Sequence, residues 1–180
     1  MDRLGIAYTA VAHLCDERAV EPRGAAPEEI ASVLARAKAE SLAQLYPEAI
    51  VIGSDQVVEI DGQILGKPGT RDAARAELVR LSGRTHRIVT AVSVRSPDGV
   101  HHGHVDVHRM HMRPLSPLAI ARYVDADEPF DCAGAYKLES RGIALFASIE
   151  GEDHTAIVGL PLIAMVSLLG KVGIDVLGGA

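Results

Sequence analysis

Residues 49–68 of this chain read Ala-Ile-Val-Ile-Gly-Ser-Asp-Gln-Val-Val-Glu-Ile-Asp-Gly-Gln-Ile-Leu-Gly-Lys-Pro. The first apolar run, residues 49–52, is short and is followed by glycine, which predicts a buried strand. Asp61-Gly62 is a two-residue turn suited to positive φ, and the apolar residues on either side of it predict a β-hairpin. The stretch therefore predicts consecutive strands of one sheet, with polar side chains at the point where the first strand ends.

Those polar side chains predict a functional site. Asp55 and Gln56 lie between the two strand patterns, and Lys67 follows the hairpin. An acid, an amide and a lysine gathered by one rigid hairpin have the arrangement of a site. An aspartate that caps a turn explains the same spacing equally well.

The composition is that of a globular protein with one domain. The chain has 180 residues, of which 48% are hydrophobic, and a formal net charge of −6. It is long enough to bury a core, and its excess of acids argues against binding along a nucleic-acid backbone. No apolar run reaches the length of a membrane span and no signal-peptide pattern begins the chain, so we expect a cytoplasmic protein without a membrane partner. Cys15 and Cys132 are expected to be free thiols.

A helix is predicted from Pro27 to about Tyr46, because proline suits the first turn of a helix. Lys38 lies on this helix among apolar residues spaced four apart. A lysine in such a place ordinarily extends its ammonium to solvent. The alternative is that Lys38 points along the helix into a polar cleft, as a phosphate ligand would.

Strands and helices alternate along the rest of the chain. Further strands are predicted over residues 6–11, 85–96, 100–112 and 142–149, and further helices over residues 70–83, 116–124 and 161–170. This order favours an α/β domain with a mixed central sheet flanked by helices. Asp16 and Glu17 follow the first of these strands, where a solvated pair of loop acids is the ordinary interpretation.

The strand over residues 100–112 is rich in histidine. His102, His104 and His108 share one face of it, with Asp106 between them. Imidazoles are common metal ligands, but a solvated strand face tolerates such residues as well. A dedicated metal site there lacks supporting cysteines and a second segment of ligands.

Several segments in series resemble the Maf family of nucleoside triphosphate pyrophosphatases. They follow the order of that family over nearly the whole chain: Asp16-Glu17, the helix around Lys38, Gly53-Ser54-Asp55-Gln56-Val57, Gly66-Lys67-Pro68, Leu81-Ser82-Gly83-Arg84-Thr85-His86, Cys132-Ala133-Gly134 through Glu139, Ile149-Glu150-Gly151 and Val158-Gly159-Leu160-Pro161-Leu162. Within the family, the segments around Gln56 and Glu139 most resemble the branch that acts on 7-methyl-GTP.

The resemblance implies an inosine-triphosphatase-like fold with a mixed, twisted central sheet flanked by helices. It also implies hydrolysis of a nucleotide substrate to a nucleoside monophosphate and pyrophosphate, a divalent cation (Mg²⁺ or Mn²⁺), and a homodimer. Carried over by position, Asp55 is the proton acceptor, and Lys38, Lys67 and Glu17 line the side of the phosphates and the metal. Glu17 and Asp55 are the oxygen ligands of the metal.

Two further positions are implied to select the base. Glu139 accepts hydrogen bonds from the N1–H and amino groups of a guanine-type base, and its negative charge favours a methylated, cationic guanine. Gln56 is expected to offer the base or its neighbour both a donor and an acceptor.

One departure from the family concerns the beginning of the chain. The family starts with a strand and a Ser-x-Ser-Pro-x-Arg loop that faces the phosphates, and residue 1 aligns after that loop. We therefore expect residues 1–180 to be a single Maf-like domain truncated at its N-terminus, either through a start codon placed too late or through loss of the segment in a degraded copy.

Three alternative functions follow from these observations. The nearest alternative is a dTTP/UTP pyrophosphatase, and the residue at position 139 distinguishes it from an enzyme that recognises guanine. The missing loop favours a non-catalytic nucleotide-binding or cell-division-associated module. A metal-binding module built on the histidine strand is the most distant.

Overall fold

The computed structural model describes residues 1–178 and shows five helices and five strands in that range. The helices are α1 (Glu17–Val20), α2 (Pro27–Glu40), α3 (Arg71–Leu81), α4 (Pro117–Asp127) and α5 (Leu162–Lys171). The strands are β1 (Val51–Ile60), β2 (Gln63–Leu65), β3 (Thr85–Arg95), β4 (His101–Met112) and β5 (Phe146–Glu150). Single turns of 3₁₀ helix cover Asp2–Leu4, Ala133–Ala135, Arg141–Leu145 and Ala156–Val158. No helix in residues 1–178 is long and apolar enough to cross a membrane.

The strands form one sheet in the order β2-β1-β3-β4-β5. β1 pairs with β2 in antiparallel register, Val58 opposite Leu65, and β4 pairs with β5 in the same manner, Arg109 opposite Glu150. Asp61 and Gly62 both have positive φ, as the predicted two-residue hairpin requires. The α/β class with helices flanking a sheet is confirmed, and the strands that the structure describes are antiparallel where mixed directions were predicted.

Two compact units arise within the chain. The first contains Met1–Gln56, Thr90–Asp106 and the residues from Asp153 onwards, and the second contains Val57–Val89 and Val107–Glu152. In the first unit, α5 packs Met165, Leu168 and Leu169 against Val92 and Val94 of β3.

The core of the second unit includes an aromatic cluster. The imidazole of His86 lies 5.6 Å from the ring of Tyr136 and 5.8 Å from that of Phe146, between ring centroids. Leu78 and Leu81 of α3 are fully buried in the same unit. The parts of β3 and β4 that belong to this unit also contribute buried residues, among them Ile88 and Met110.

Three predicted elements differ from the structure. Residues 6–11 are not a strand, and most of their side chains are exposed. The long helix ends at Glu40, because the hydroxyl of Ser41 donates to the Lys38 carbonyl and competes with continued helix. Residues 141–145 form a 3₁₀ helix ahead of β5, and the backbone of Gly142 passes so close to Lys137 that a side chain would not fit.

β1 is one continuous strand of ten residues, so Asp55 lies in its interior and not at a strand end. Gly53 explains how a helix reaches it there. A Cβ on Gly53 would clash with the Ala35 carbonyl oxygen and lie 2.7 Å from the Ala39 nitrogen. Because Gly53 has no side chain, α2 packs directly on the backbone of β1. This close approach brings the C-terminal turn of α2 to the residues that follow Gly53.

Candidate active site

Asp55, Lys38 and Glu17 form a charged cluster in the first unit. The Lys38 ammonium donates to Asp55 Oδ1 at 2.6 Å and lies 3.1 Å from Glu17 Oε1. Three elements supply these side chains: Lys38 is in the last turn of α2, Asp55 in β1 and Glu17 at the first position of α1. Residues separated by 17 and 21 positions in sequence therefore meet around one ammonium. Lys38 therefore points into a polar cluster, which is the alternative to the solvent-exposed ammonium that its spacing ordinarily predicts.

The cluster is largely buried, which changes its protonation. The Asp55 side chain is 9% exposed and that of Lys38 17%, while Glu17 is 43% exposed. Burial raises the pKa of Asp55; the hydrogen bond and charge of Lys38 lower it in part, and Glu17 raises it further. Burial lowers the pKa of Lys38, but the hydrogen bonds and charges of Asp55 and Glu17 outweigh it and raise that pKa above its usual value. Lys38 is thus a permanent cation beside a carboxylate that binds a proton more readily than a free aspartate.

Gln56 follows Asp55 along β1 and contacts other elements. Its amide nitrogen donates to Thr90 Oγ1 at 2.8 Å and to the Ala156 carbonyl at 3.0 Å. Ser54, two residues before it, bonds the carbonyl oxygens of Ala91 and Gly159 at 2.9 and 2.7 Å. Side chains alternate between the faces of a strand, so Gln56 and Ser54 share the face opposite to Asp55.

This arrangement corrects one expectation. Gln56 was predicted to offer a ligand both a donor and an acceptor, but both of its N–H groups have partners within the protein. Only the carbonyl oxygen remains for a ligand. Thr90 and Ala156 were not singled out in the sequence, because they are 34 and 100 residues away from Gln56 and no local pattern connects them.

Lys67 and Glu139 lie in the second unit, and both are exposed. Lys67 is in the loop after β2. Glu139 ends a loop in which Gly134 and Ala135 both have positive φ, a conformation that is uncommon for alanine. The Tyr123 hydroxyl accepts a hydrogen bond from the Lys137 backbone nitrogen at 2.9 Å and fixes this loop. The convergence of Lys67 and Glu139 with Asp55 on one substrate stays a prediction.

The carboxylates of Asp55 and Glu17 suit a hard divalent cation. Both are oxygen donors, and both already approach the same cationic group, Lys38. In residues 1–178 no group of three or more His, Cys, Asp or Glu side chains is placed to hold a metal ion. Mg²⁺ needs no such group, since it is ordinarily held by one or two carboxylates together with waters and substrate phosphates. The residues present therefore fit a cation that shares its ligands with a nucleotide.

The histidine strand gathers no comparable set of ligands. His108 is buried with 2% of its surface exposed, whereas His104 is exposed. Within the described part of the chain, these histidines belong to no group of three metal-ligating side chains. The alternative of a zinc-type module on β4 has no support in this geometry.

Comparison with known proteins identifies the family to which this chain belongs. A model of the Maf family, described as Maf-like protein, matches residues 1–172. The chain belongs to the Maf family.

Three curated relatives show how close the similarity is, and each is called 7-methyl-GTP pyrophosphatase. The protein of Xanthomonas campestris is 46% identical over 173 residues, covering 96% of this chain and 89% of its own length. That of Bordetella pertussis is 45% identical over 180 residues, covering 99% and 88%. That of Vibrio vulnificus is 41% identical over 179 residues, covering 99% and 91%.

Proposed function

We propose that this chain is a nucleoside triphosphate pyrophosphatase that hydrolyses the bond between the α- and β-phosphates of 7-methyl-GTP. The products are the nucleoside monophosphate and pyrophosphate. The observation that carries the proposal is the buried Asp55 carboxylate held by the Lys38 ammonium at 2.6 Å. Membership of the Maf family and relatives named for 7-methyl-GTP supply the substrate class.

Asp55 acts as the general base. Hydrolysis requires that a water lose a proton as its oxygen bonds to phosphorus and as the anhydride bond breaks. A carboxylate whose pKa is raised by burial is a stronger base than an exposed aspartate. Asp55 takes that proton, and the released pyrophosphate leaves with the electrons of the broken P–O bond.

Lys38 positions both Asp55 and the polyphosphate. Its raised pKa keeps it charged at every physiological pH. A lysine ammonium is a compact point charge that suits phosphate oxygens. In the absence of substrate Lys38 holds the Asp55 carboxylate in one orientation. With substrate bound it also contacts a phosphate, and Lys67 adds a second positive charge.

A divalent cation completes the charge balance. Glu17 and Asp55 are the residues that would hold it. A bound Mg²⁺ or Mn²⁺ would neutralise part of the negative charge on the polyphosphate.

Glu139 and Gln56 select the base. Glu139 is exposed and is acceptor-only when ionised, which suits the N1–H and amino donors of guanine. The cationic ring of 7-methylguanine is attracted to the same charge. β2 pairs only with residues 58–60 of β1, so Asp55 and Gln56 lie in the part of β1 that β2 does not cover. A nucleotide along this part of the strand reaches side chains from both faces.

The test is a panel of nucleotides in the presence of Mg²⁺ or Mn²⁺. We expect pyrophosphate from 7-methyl-GTP, with a larger kcat/KM than for GTP, dTTP or UTP. The assay must separate pyrophosphate from orthophosphate, because the former identifies cleavage between the α- and β-phosphates. Release of orthophosphate, or calorimetric binding of nucleotide with no turnover of any substrate, contradicts the proposal.

A further inference from the structure

The Gln56 carboxamide is held by a hydrogen-bond network inside the first unit. Gln56 Nε2 lies 2.8 Å from Thr90 Oγ1 and 3.0 Å from the Ala156 carbonyl oxygen. Thr90, which is fully buried, donates its own hydroxyl proton to the same Ala156 carbonyl at 2.9 Å. The three groups form a closed triangle in which every proton has an acceptor.

The partners of Gln56 determine which way its amide faces. A backbone carbonyl oxygen is an acceptor only, so the atom that faces Ala156 must be the NH₂ nitrogen and not the amide oxygen. The carbonyl of Ile157, 3.4 Å from the same nitrogen, excludes the reversed orientation for the same reason. Gln56 Oε1 accepts no hydrogen bond from any residue of the described chain.

The loop that carries Ala156 is itself fixed. The buried Asp153 carboxylate accepts from the Thr155 nitrogen at 2.9 Å, from the Thr155 hydroxyl at 2.5 Å and from the Ile163 nitrogen at 2.7 Å. Thr155 Oγ1 accepts in turn from the Leu162 nitrogen at 2.7 Å. The bonds from Leu162 and Ile163 satisfy two of the free N–H groups at the start of α5, where Pro161 offers no side-chain cap. The acceptor that orients Gln56 is therefore part of a rigid helix cap.

We propose that Thr90 is a positioning residue for substrate specificity: together with the Ala156 carbonyl it holds the Gln56 amide so that position 56 presents only a hydrogen-bond acceptor to the base. The group that such an acceptor recognises is an N–H donor, and the exocyclic amino group of a guanine-type base is the one assigned here. This inference rests on the proposed function. It adds the reason why a glutamine at this position favours a base that carries an N–H donor over a base that carries an acceptor there.

The experiment compares 7-methyl-GTP with 7-methyl-inosine triphosphate, which lacks the exocyclic amino group. A site built to bond an N–H rejects the analogue that lacks it, so we expect the wild-type chain to prefer 7-methyl-GTP about 10-fold or more in kcat/KM. In Thr90→Val the amide nitrogen keeps the Ala156 carbonyl but loses the threonine hydroxyl, so the carboxamide is held less tightly and we expect the ratio to fall about threefold or more. Thr90→Ser restores the hydroxyl and the wild-type ratio.

Ser54→Ala serves as the matched control. It removes a hydroxyl that bonds the same loop through Gly159 but does not touch the Gln56 amide. We expect Ser54→Ala to keep the wild-type preference. An unchanged ratio in Thr90→Val, an equal loss in Ser54→Ala, or a wild-type ratio near one overturns the inference.

Binding measured without turnover separates this inference from the proposed function. The α,β-methylene analogues of both nucleotides are titrated by calorimetry into the wild-type chain and Thr90→Val. A preference for the amino-bearing analogue that Thr90→Val reduces supports the inference even if no nucleotide is hydrolysed. Hydrolysis with equal affinities for the two analogues in the wild-type chain overturns the inference and leaves the proposed function standing.

Discussion

Asp55 is buried and paired with the Lys38 ammonium, which suits it to accept a proton from the attacking water. Replacing it with asparagine keeps the size of the side chain and its ability to accept from Lys38, but removes the basic oxygen. We expect Asp55→Asn to lower kcat by about 100-fold or more, the range ordinarily supplied by a general base. Asp98→Asn, at an exposed turn, is the matched control and should leave kcat unchanged. Equal turnover in Asp55→Asn and the wild-type chain would remove Asp55 from the role of base.

Lys38 also governs how the site takes up a divalent cation. Its ammonium lies 2.6 Å from Asp55 and 3.1 Å from Glu17, so a metal ion entering between these carboxylates meets a positive charge. The repulsion disfavours binding until the phosphates of a nucleotide add negative charge. We expect weak Mn²⁺ binding by the nucleotide-free wild-type chain, and binding about 10-fold tighter or more in Lys38→Met, where this repulsion is removed.

Electron paramagnetic resonance of free Mn²⁺ measures this directly, without nucleotide and without turnover. Lys171→Met, at the exposed end of α5, is the control for loss of one positive charge. Tight Mn²⁺ binding by the wild-type chain that Lys38→Met leaves unchanged would contradict the prediction.

At the scale of elements, the contact between α2 and β1 determines whether the site exists. Ala35 and Ala39 of α2 are fully buried, and Gly53 allows the backbone of the helix to lie against the strand. Gly53→Ala forces the two elements apart. We expect the free energy of unfolding to fall by about 1–3 kcal/mol, as for other overpacked cores, and kcat to fall with it because Lys38 moves away from Asp55.

Urea denaturation and the nucleotide assay measure the two effects. Gly66→Ala is the matched control: it makes the same substitution at a position where nothing lies within 4 Å of the new Cβ. A Gly53→Ala variant as stable and as active as Gly66→Ala would show that close packing of α2 on β1 is not required.

At the scale of the whole molecule, stability depends on a neutral histidine. His86 is 2% exposed, its Nε2 lies 2.8 Å from the Tyr136 hydroxyl, and burial lowers its pKa from 6.5 to about 4. The unfolded chain therefore binds a proton between pH 6.5 and 4 that the folded chain does not. The stabilisation is present above pH 6.5 and is lost as pH falls toward 4, by roughly 3 kcal/mol from a shift of this size.

Urea denaturation at pH 7.5 and pH 4.5 tests the sign and size of this effect. His86→Gln removes the titrating group and should flatten the pH dependence over this range, although it lowers stability at neutral pH. His104→Gln, at an exposed position, should retain the wild-type dependence. An identical dependence in His86→Gln would show that other groups are responsible.

A further prediction at this scale concerns Glu139 and the choice of base. Glu139 lies in the second unit and Asp55 in the first. If both serve one nucleotide, Glu139→Gln should reduce the preference for 7-methyl-GTP over UTP by about 10-fold or more, because a neutral amide attracts a cationic base less and offers it fewer acceptors. Unchanged specificity would assign the choice of base to other residues.

The sequence by itself determined the α/β class, most of the regular elements and the chemical types at the site. Thr70 and Ser116 cap helices as their residue types predict, and β3 and β4 begin and end within one residue of the ranges that their alternating sequences predict. These features are local, because capping and alternation depend on neighbours a few residues apart. The family motifs identified Asp55, Lys38 and Glu17 in the same way, each from its own short segment.

Only the tertiary structure decided which of these groups meet and what they have left to offer. Gly53 lets α2 pack directly on the strand that contains Asp55. This contact between α2 and β1 places Lys38 beside Asp55. Gln56 can offer a ligand only its carbonyl oxygen, because residues 34 and 100 positions away accept hydrogen bonds from its amide nitrogen. Such contacts depend on how distant segments pack, and no local periodicity predicts them.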